Sequence, residues 1–257
     1  MSFASFDGHR AHDCALLAKR WTSLAKRAGM KWSKMAMAGK FPVHVAESRV
    51  ARNDQRPSIY LSSGVHGDEA AAPWGLLEWA EDHAALLKSH RFLIFPCLNP
   101  HGITANTRVD QRGVDINRTF HDEHDPFIAA WRKVVGNRLI SVALCLHEDY
   151  DAQGCYVYEM RNKPGKVGPT ALRECASIIP RDMRKLIDGR NVKGGHFLRR
   201  GDFVPTDIIG LPEAIALHQL GARVTLTFES PSEYCLLDRI AVQHHFISSV
   251  LQHELGI

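Results

Sequence analysis

Four short apolar stretches constrain this chain more than any other feature: "RPSIYLSSG", "RFLIFPCLNP", "LISVALCLH" and "ARVTLTFES". Each is too short for an ordinary helix, and each ends on small or polar residues. Of these, "RFLIFPCLNP" is the wholly apolar run that suits a central strand covered on both faces. Between these runs lie longer segments whose apolar residues recur at helical spacing. Strands alternating with helices predict an α/β fold with a mainly parallel sheet.

The helical segments fall at about 10–28, 70–88, 126–137, 169–188, 212–220 and 235–254. In the first, Ala15, Leu16, Ala18, Leu24 and Ala25 form a stripe among Lys and Arg, and Gly29 is its stop. "FPVHVAESRV" and "CYVYEM" read as further strands, and "RNVKGGHFLRRGDF" as loop and short strand. The polar stretch "HGITANTRVDQRGVDINRTFHDEHDP" has no clear period. A loop of that length in a compact domain is usually functional. Nothing reads as a linker or a repeat, so residues 1–257 are taken as a single domain.

Composition excludes some classes of function. The formal charge is +4, with no basic stripe interleaved with aromatics, so no nucleic-acid partner is expected. The slight basic excess favours an anionic substrate. No apolar run approaches the roughly 18 residues of a membrane span, and the first residues lack the pattern of a signal peptide. The six cysteines are scattered and contain no CxxC, which predicts free thiols in a reducing, cytoplasmic setting.

Polar residues gather where strands end: His66 and Glu69, Asn99, His147 and Glu148, then Glu229. In open α/β sheets the ligand crevice lies beyond the carboxyl ends of the strands. His66 and Glu69 flank a strand-to-helix turn in "SSGVHGDEAAAPWGLLEWA", and a three-residue spacing can turn both toward one side. Zinc takes imidazole nitrogen and carboxylate oxygen, and a catalytic site uses three protein ligands. His147, at the end of a buried strand, supplies the third. Glu148 is its rival, but adjacent strand residues face opposite ways, so only one reaches the crevice.

An ordered set of motifs, "HGDE", "LNPHG", "NTR", "RGVDINRTF", "LHED" and "TFESP", resembles the zinc carboxypeptidase-like metallopeptidases. That family includes the pancreatic carboxypeptidases and bacterial murein-peptide amidases. The resemblance implies a mixed, mostly parallel central sheet flanked by helices, of the phosphorylase/hydrolase-like type, and one catalytic domain. It implies one zinc per chain held by His66, Glu69 and His147, with Glu229 as general base. It implies Arg108 as the oxyanion-stabilising arginine, and Asn117 with Arg118 as the grip on a terminal carboxylate. Arg112 is an alternative for either arginine role.

The same roles follow from the chemistry. Bound zinc lowers the pKa of water to about 7. A carboxylate tuned toward neutrality then shuttles the proton, and a fixed arginine stabilises the oxyanion. Arg118 can hold a carboxylate in a two-pronged fork. Asp115 is placed to orient an arginine or a zinc-ligating histidine. The pancreatic enzymes carry a mobile tyrosine before the base, whereas residues 190–228 here contain none. Tyr150, Tyr156, Tyr158, His196 and His218 are the candidate substitutes.

The leading expectation is a zinc metallocarboxypeptidase or amidohydrolase. It would act on a small peptide bearing a free carboxylate. The alternatives are a deacylase of N-acyl amino acids, of the aspartoacylase and succinylglutamate desuccinylase type, and a non-catalytic binding protein on the same fold. An intact Glu229 argues against the last.

Overall fold

The structure is a computed structural model that describes residues 10–49, 51, 54–162, 165–200 and 209–257; Val50 and residues 201–203 of two predicted strand segments lie outside them. The elements, in chain order, start with α1 (Cys14–Arg27), β1 (Lys31–Ala38), β2 (Phe41–Glu47) and β3 (Ser58–Ser63). Next come α2 (Ala71–Asp82), α3 (Ala84–Ser89), β4 (Phe92–Phe95), α4 (Pro100–Ala105), α5 (Pro126–Val135) and β5 (Ile140–Asp149). Then follow β6 (Tyr156–Arg161), α6 (Gly168–Cys175), β7 (Leu186–Ile187), β8 (Arg190–Asn191) and β9 (His196–Arg200). The chain closes with α7 (Glu213–Gln219), β10 (Val224–Pro231) and α8 (Leu236–Leu255).

Eight strands form one sheet in the order β1-β2-β4-β3-β5-β10-β6-β9, and β7 and β8 pair separately. Four of its seven interfaces are parallel: β3 with β4, β3 with β5, β5 with β10 and β6 with β9. The other three, β1 with β2, β2 with β4 and β6 with β10, are antiparallel. The mixed, mostly parallel sheet is thus as the sequence predicts. Because β3, β5 and β10 run side by side in one direction, their carboxyl ends meet at one edge.

Alternation along the strands assigns each side chain to a layer. Val142, Leu144 and Leu146 of β5, with Leu226 and Phe228 of β10, pack under α1, α2, α6 and α8. Ala143 and Cys145 pack toward α5 and α7. Full burial of a leucine such as Leu144 or Leu226 contributes about 1.5–3 kcal/mol each. At the carboxyl end of β5 the same alternation sends Glu148 to the α2–α8 side and His147 to the other.

The structure departs from the predicted segments in several places. The stretch read as loop from His101 begins inside α4. The helix expected over 70–88 breaks at His83, which leaves helical backbone (φ −110°, ψ 30°) while its Nδ1 bonds the carbonyl of Trp79 at 2.8 Å. The helix expected over 169–188 ends at Cys175. Pro180 lies in that stretch, and a proline disfavours helical backbone at the residue before it. β1 has no counterpart among the predicted strands, because this sheet-edge strand fully buries only Ala38 and shows no clean alternation.

Candidate metal centre

Past Ser63 the chain turns through Gly64, at φ +61°, and carries His66 and Glu69 before α2 begins at Ala71. This turn lies directly on the start of α4. A methyl group on Gly67 would sit 1.9 Å from the carbonyl carbon of Gly102. The glycines of "HGDE" and "LNPHG" are therefore two sides of one backbone contact. Asn99, fully buried, caps α4 by accepting the Gly102 N–H at 2.8 Å. Its amide also donates to the carbonyls of Arg108 (3.4 Å) and Val109 (3.1 Å), which fixes the loop that bears Arg108.

The turn brings His66 and Glu69 against His147. Nδ1 of His66 lies 2.5 Å from Oε1 of Glu69, and Nδ1 of His147 lies 2.9 Å from Oε2. One donor atom from each of the three residues falls within 4.8 Å of the others, and all three side chains are buried. Among the described residues this is the one His/Cys/Asp/Glu group that could hold a metal ion. Oε2 of Glu69 makes no aligned hydrogen bond, although the His147 nitrogen is beside it. A buried carboxylate oxygen facing an imidazole nitrogen without bonding it is what a shared cation would satisfy. The donor set and the geometry both fit a metal.

The electrostatics agree. Burial opposes a charged His66, but Glu69 and Asp115 outweigh it and raise its pKa to about 9. His147 shifts upward too, against its burial, through Glu69 and Glu229. Burial pushes Glu69 up, yet the two imidazoles hold it well below the usual carboxylate range. Asp115 accepts from both neighbours: its Oδ1 is 3.2 Å from Nε2 of His66, and its Oδ2 takes the Arg108 Nε–H at 3.0 Å. Arg108 also reaches over the ligand pair, with Nη1 3.3 Å from Nδ1 of His66 and 3.8 Å from Oε1 of Glu69.

Glu229 stands beside His147 in the β5–β10 ladder. Burial drives its pKa well above normal; His147 opposes this, while Glu69, Asp149 and Asp188 add to it. Together with His66, Glu69 and His147, Arg108, Asn117, Arg118 and Glu229 line one cavity of about 520 Å³. Asn117 is committed structurally, since its Oδ1 accepts the Glu213 N–H at 2.9 Å. Arg112 is not brought to the cavity. It pairs with Asp110 (2.7 Å) and Asp125 (2.6 Å), which folds the loop and caps α5 instead.

Of the candidates for the missing tyrosine, Tyr156 and Tyr158 line the cavity, and Tyr150 is 74% exposed outside its wall. Their hydroxyls already donate, Tyr156 to Asp149 at 3.0 Å and Tyr158 to Asp188 at 2.7 Å. His196 pairs with Glu159 at 2.8 Å, and His218 is buried outside the cavity wall.

Sequence reasoning missed the cavity floor: Thr225 and Thr227 beside Glu229, and Met160 beside the two tyrosines. The available signal was alternation, since every second residue of "VTLTFE" and "YVYEM" points to the cavity face. It also missed Glu213, whose buried carboxylate takes hydroxyl hydrogen bonds from Tyr60 and, at 2.9 Å, from Ser62. A glutamate after a proline reads only as a helix start.

Residues 55–141 match the family model of the succinylglutamate desuccinylase/aspartoacylase catalytic domain. That stretch includes His66, Glu69, Arg108, Asn117 and Arg118 and stops short of His147 and Glu229. Over 127 residues the chain is 30% identical to carboxypeptidase SOL1 of Arabidopsis thaliana, a match that covers 43% of this chain. It spans only about a quarter of that relative (26%). A candidate metallopeptidase from Shewanella denitrificans OS217 superposes with a TM-score of 0.82 at 22% identity, covering 99% of this chain and 95% of the other. A metallo-carboxypeptidase from Burkholderia cenocepacia superposes with a TM-score of 0.67 at 16% identity, over 93% of this chain and 68% of its own. Among the described residues no helix is long and apolar enough to cross a membrane.

Proposed function

We propose that this chain, which has the fold of the zinc carboxypeptidase-like metallopeptidases, is a zinc-dependent hydrolase of a terminal amide bond in a small substrate bearing a free carboxylate. The observation that carries the reading is the convergence of His66, Glu69 and His147, from two separate strand ends, on one buried point in a cavity wall.

Zinc, when bound by these three residues, supplies Lewis acidity and an acidified water. The chain's own residues do the rest. Glu229 faces that point from the neighbouring strand and takes the proton of the attacking water. It then returns the proton to the leaving nitrogen. Burial raises its basicity, the direction a general base near neutral pH requires. Arg108, held by Asp115, lies beside the ligand cluster and stabilises the oxyanion of the tetrahedral intermediate. Arg118 projects from the short 3₁₀ turn 116–118 into the cavity wall and holds the substrate carboxylate.

A second reading has one observation in its favour. The match over residues 55–141 points to deacylation of an N-acyl amino acid, which the same machinery would perform. Hydrolysis of a panel of C-terminal dipeptides, muropeptides and N-acyl amino acids separates the two.

The metal reading is tested by elemental analysis and turnover. About one zinc per chain is expected, lost in His66→Ala. Glu229→Gln should keep the metal and lose about 10²–10⁴-fold in kcat. Active protein without metal, or full turnover by Glu229→Gln, refutes the proposal.

A further inference from the structure

The ligands and the base ride on separate carriers. His66 and Glu69 belong to the turn before α2, His147 ends β5 and Glu229 ends β10. The β3–β5 ladder stops at the Ser63–Leu146 pair, so His147 lies one residue beyond it and the turn lies outside it. The β5–β10 ladder runs on to the Asp149–Pro231 pair and already holds His147 beside Glu229, so it is the turn with His66 and Glu69 that needs a further contact.

That contact comes from α8, on the opposite face of the sheet. Arg239 and Gln243 stand one turn apart on one side of the helix. Arg239 donates to Oε1 of Glu148 at 2.7 Å, while Oε2 of the same carboxylate takes the Ala71 N–H at 2.7 Å, at the first residue of α2. The amide of Gln243 donates to the carbonyl of His147 at 2.7 Å and to the hydroxyl of Ser230 at 2.9 Å. Directly or through Glu148, these two side chains tie the first residue of α2 to the ends of β5 and β10. Gly75 permits the approach: a methyl group there would lie 2.4 Å from Cβ of Gln243.

This arrangement is poorly explained by stability alone. Gln243 is fully buried and its Oε1 has no hydrogen-bond partner among the described residues. A buried orphan acceptor is destabilising. A buried ion pair such as Arg239–Glu148 is seldom better than apolar side chains of the same volume. What the polar groups give is fixed geometry behind the ligands.

We infer that Arg239 and Gln243, with Glu148 as their relay, are positioning residues that set the turn bearing His66 and Glu69 at its distance from His147 and Glu229. The inference rests on the metal reading above. Gln243→Leu and the paired change Glu148→Gln with Arg239→Met test it. Zinc affinity is measured by competition with a chromophoric chelator, and melting is followed on the zinc-free protein. Each variant should bind zinc about 10–100-fold more weakly, while its zinc-free melting point stays within about 4 °C of wild type.

Unchanged zinc affinity in both variants overturns the inference and leaves the metal reading intact. Variants that no longer fold would make these residues folding elements and overturn it equally. A wild-type chain that takes up no zinc removes both readings.

Discussion

Metal uptake should be strongly pH-dependent, because the zinc-free site is built to keep protons. His66 titrates at about 9 against an ordinary 6.5. At pH 7 only about 1% of it is neutral, and a metal needs the neutral ring. Its neutral fraction climbs to about half at pH 9, so zinc affinity should rise about 50-fold between pH 7 and 9 from this group alone. His147 is shifted the same way, by Glu69 and Glu229 against its burial, and adds to the slope. Competition titrations across pH 6.5–9 measure the slope. Calorimetry in buffers of different ionisation enthalpy counts the protons released, with at least one expected near pH 7.5.

The sign also fixes the zinc-free stability. The folded pKa of His66 is raised, so its contribution is full below about 6.5 and is lost as pH rises through about 9. Zinc-free protein should therefore melt lower at pH 9 than at pH 6.5. A flat affinity profile with no proton release would refute the reasoning, because the imidazoles would then be neutral before metal arrives.

Arg118→Ala should raise KM by about tenfold or more for substrates with a free terminal carboxylate, and much less for their amides; an equal rise for both removes the clamp role. Tyr60→Phe strips one hydroxyl donor from buried Glu213 and the acceptor of the Trp131 indole N–H at 2.9 Å. Urea denaturation should show a loss of about 1–3 kcal/mol with zinc content unchanged, and a neutral result would mean that Glu213 is protonated and satisfied by other neighbours.

How much was legible varied with the range of the interaction. β4 was visible because burial on both faces leaves it wholly apolar, and β3, β5 and β10 because each is a short apolar or alternating run that stops at polar residues. His66, Glu69 and His147, the group that could hold a metal, stood out because they sit where those runs stop. β1 was not, since an edge strand need not be apolar, and neither was the break at His83, which depends on a side chain bonding its own helix. Arg108, Arg112 and Arg118 share one loop, and Arg112 stood as an alternative to either of the other two. Only the folded loop, with Asp110 and Asp125 engaging Arg112, separates them.

The sequence by itself determined the α/β class, the strand ends and the donor types, because periodicity and residue chemistry are local properties. Tertiary structure decided that Glu148 meets Arg239 of α8, that Gly67 and Gly102 touch, and that Asp115 bonds His66 and Arg108 at once rather than one of them. Each of these joins residues far apart in the chain, and such pairings exist only once the sheet has brought the strand ends to one edge.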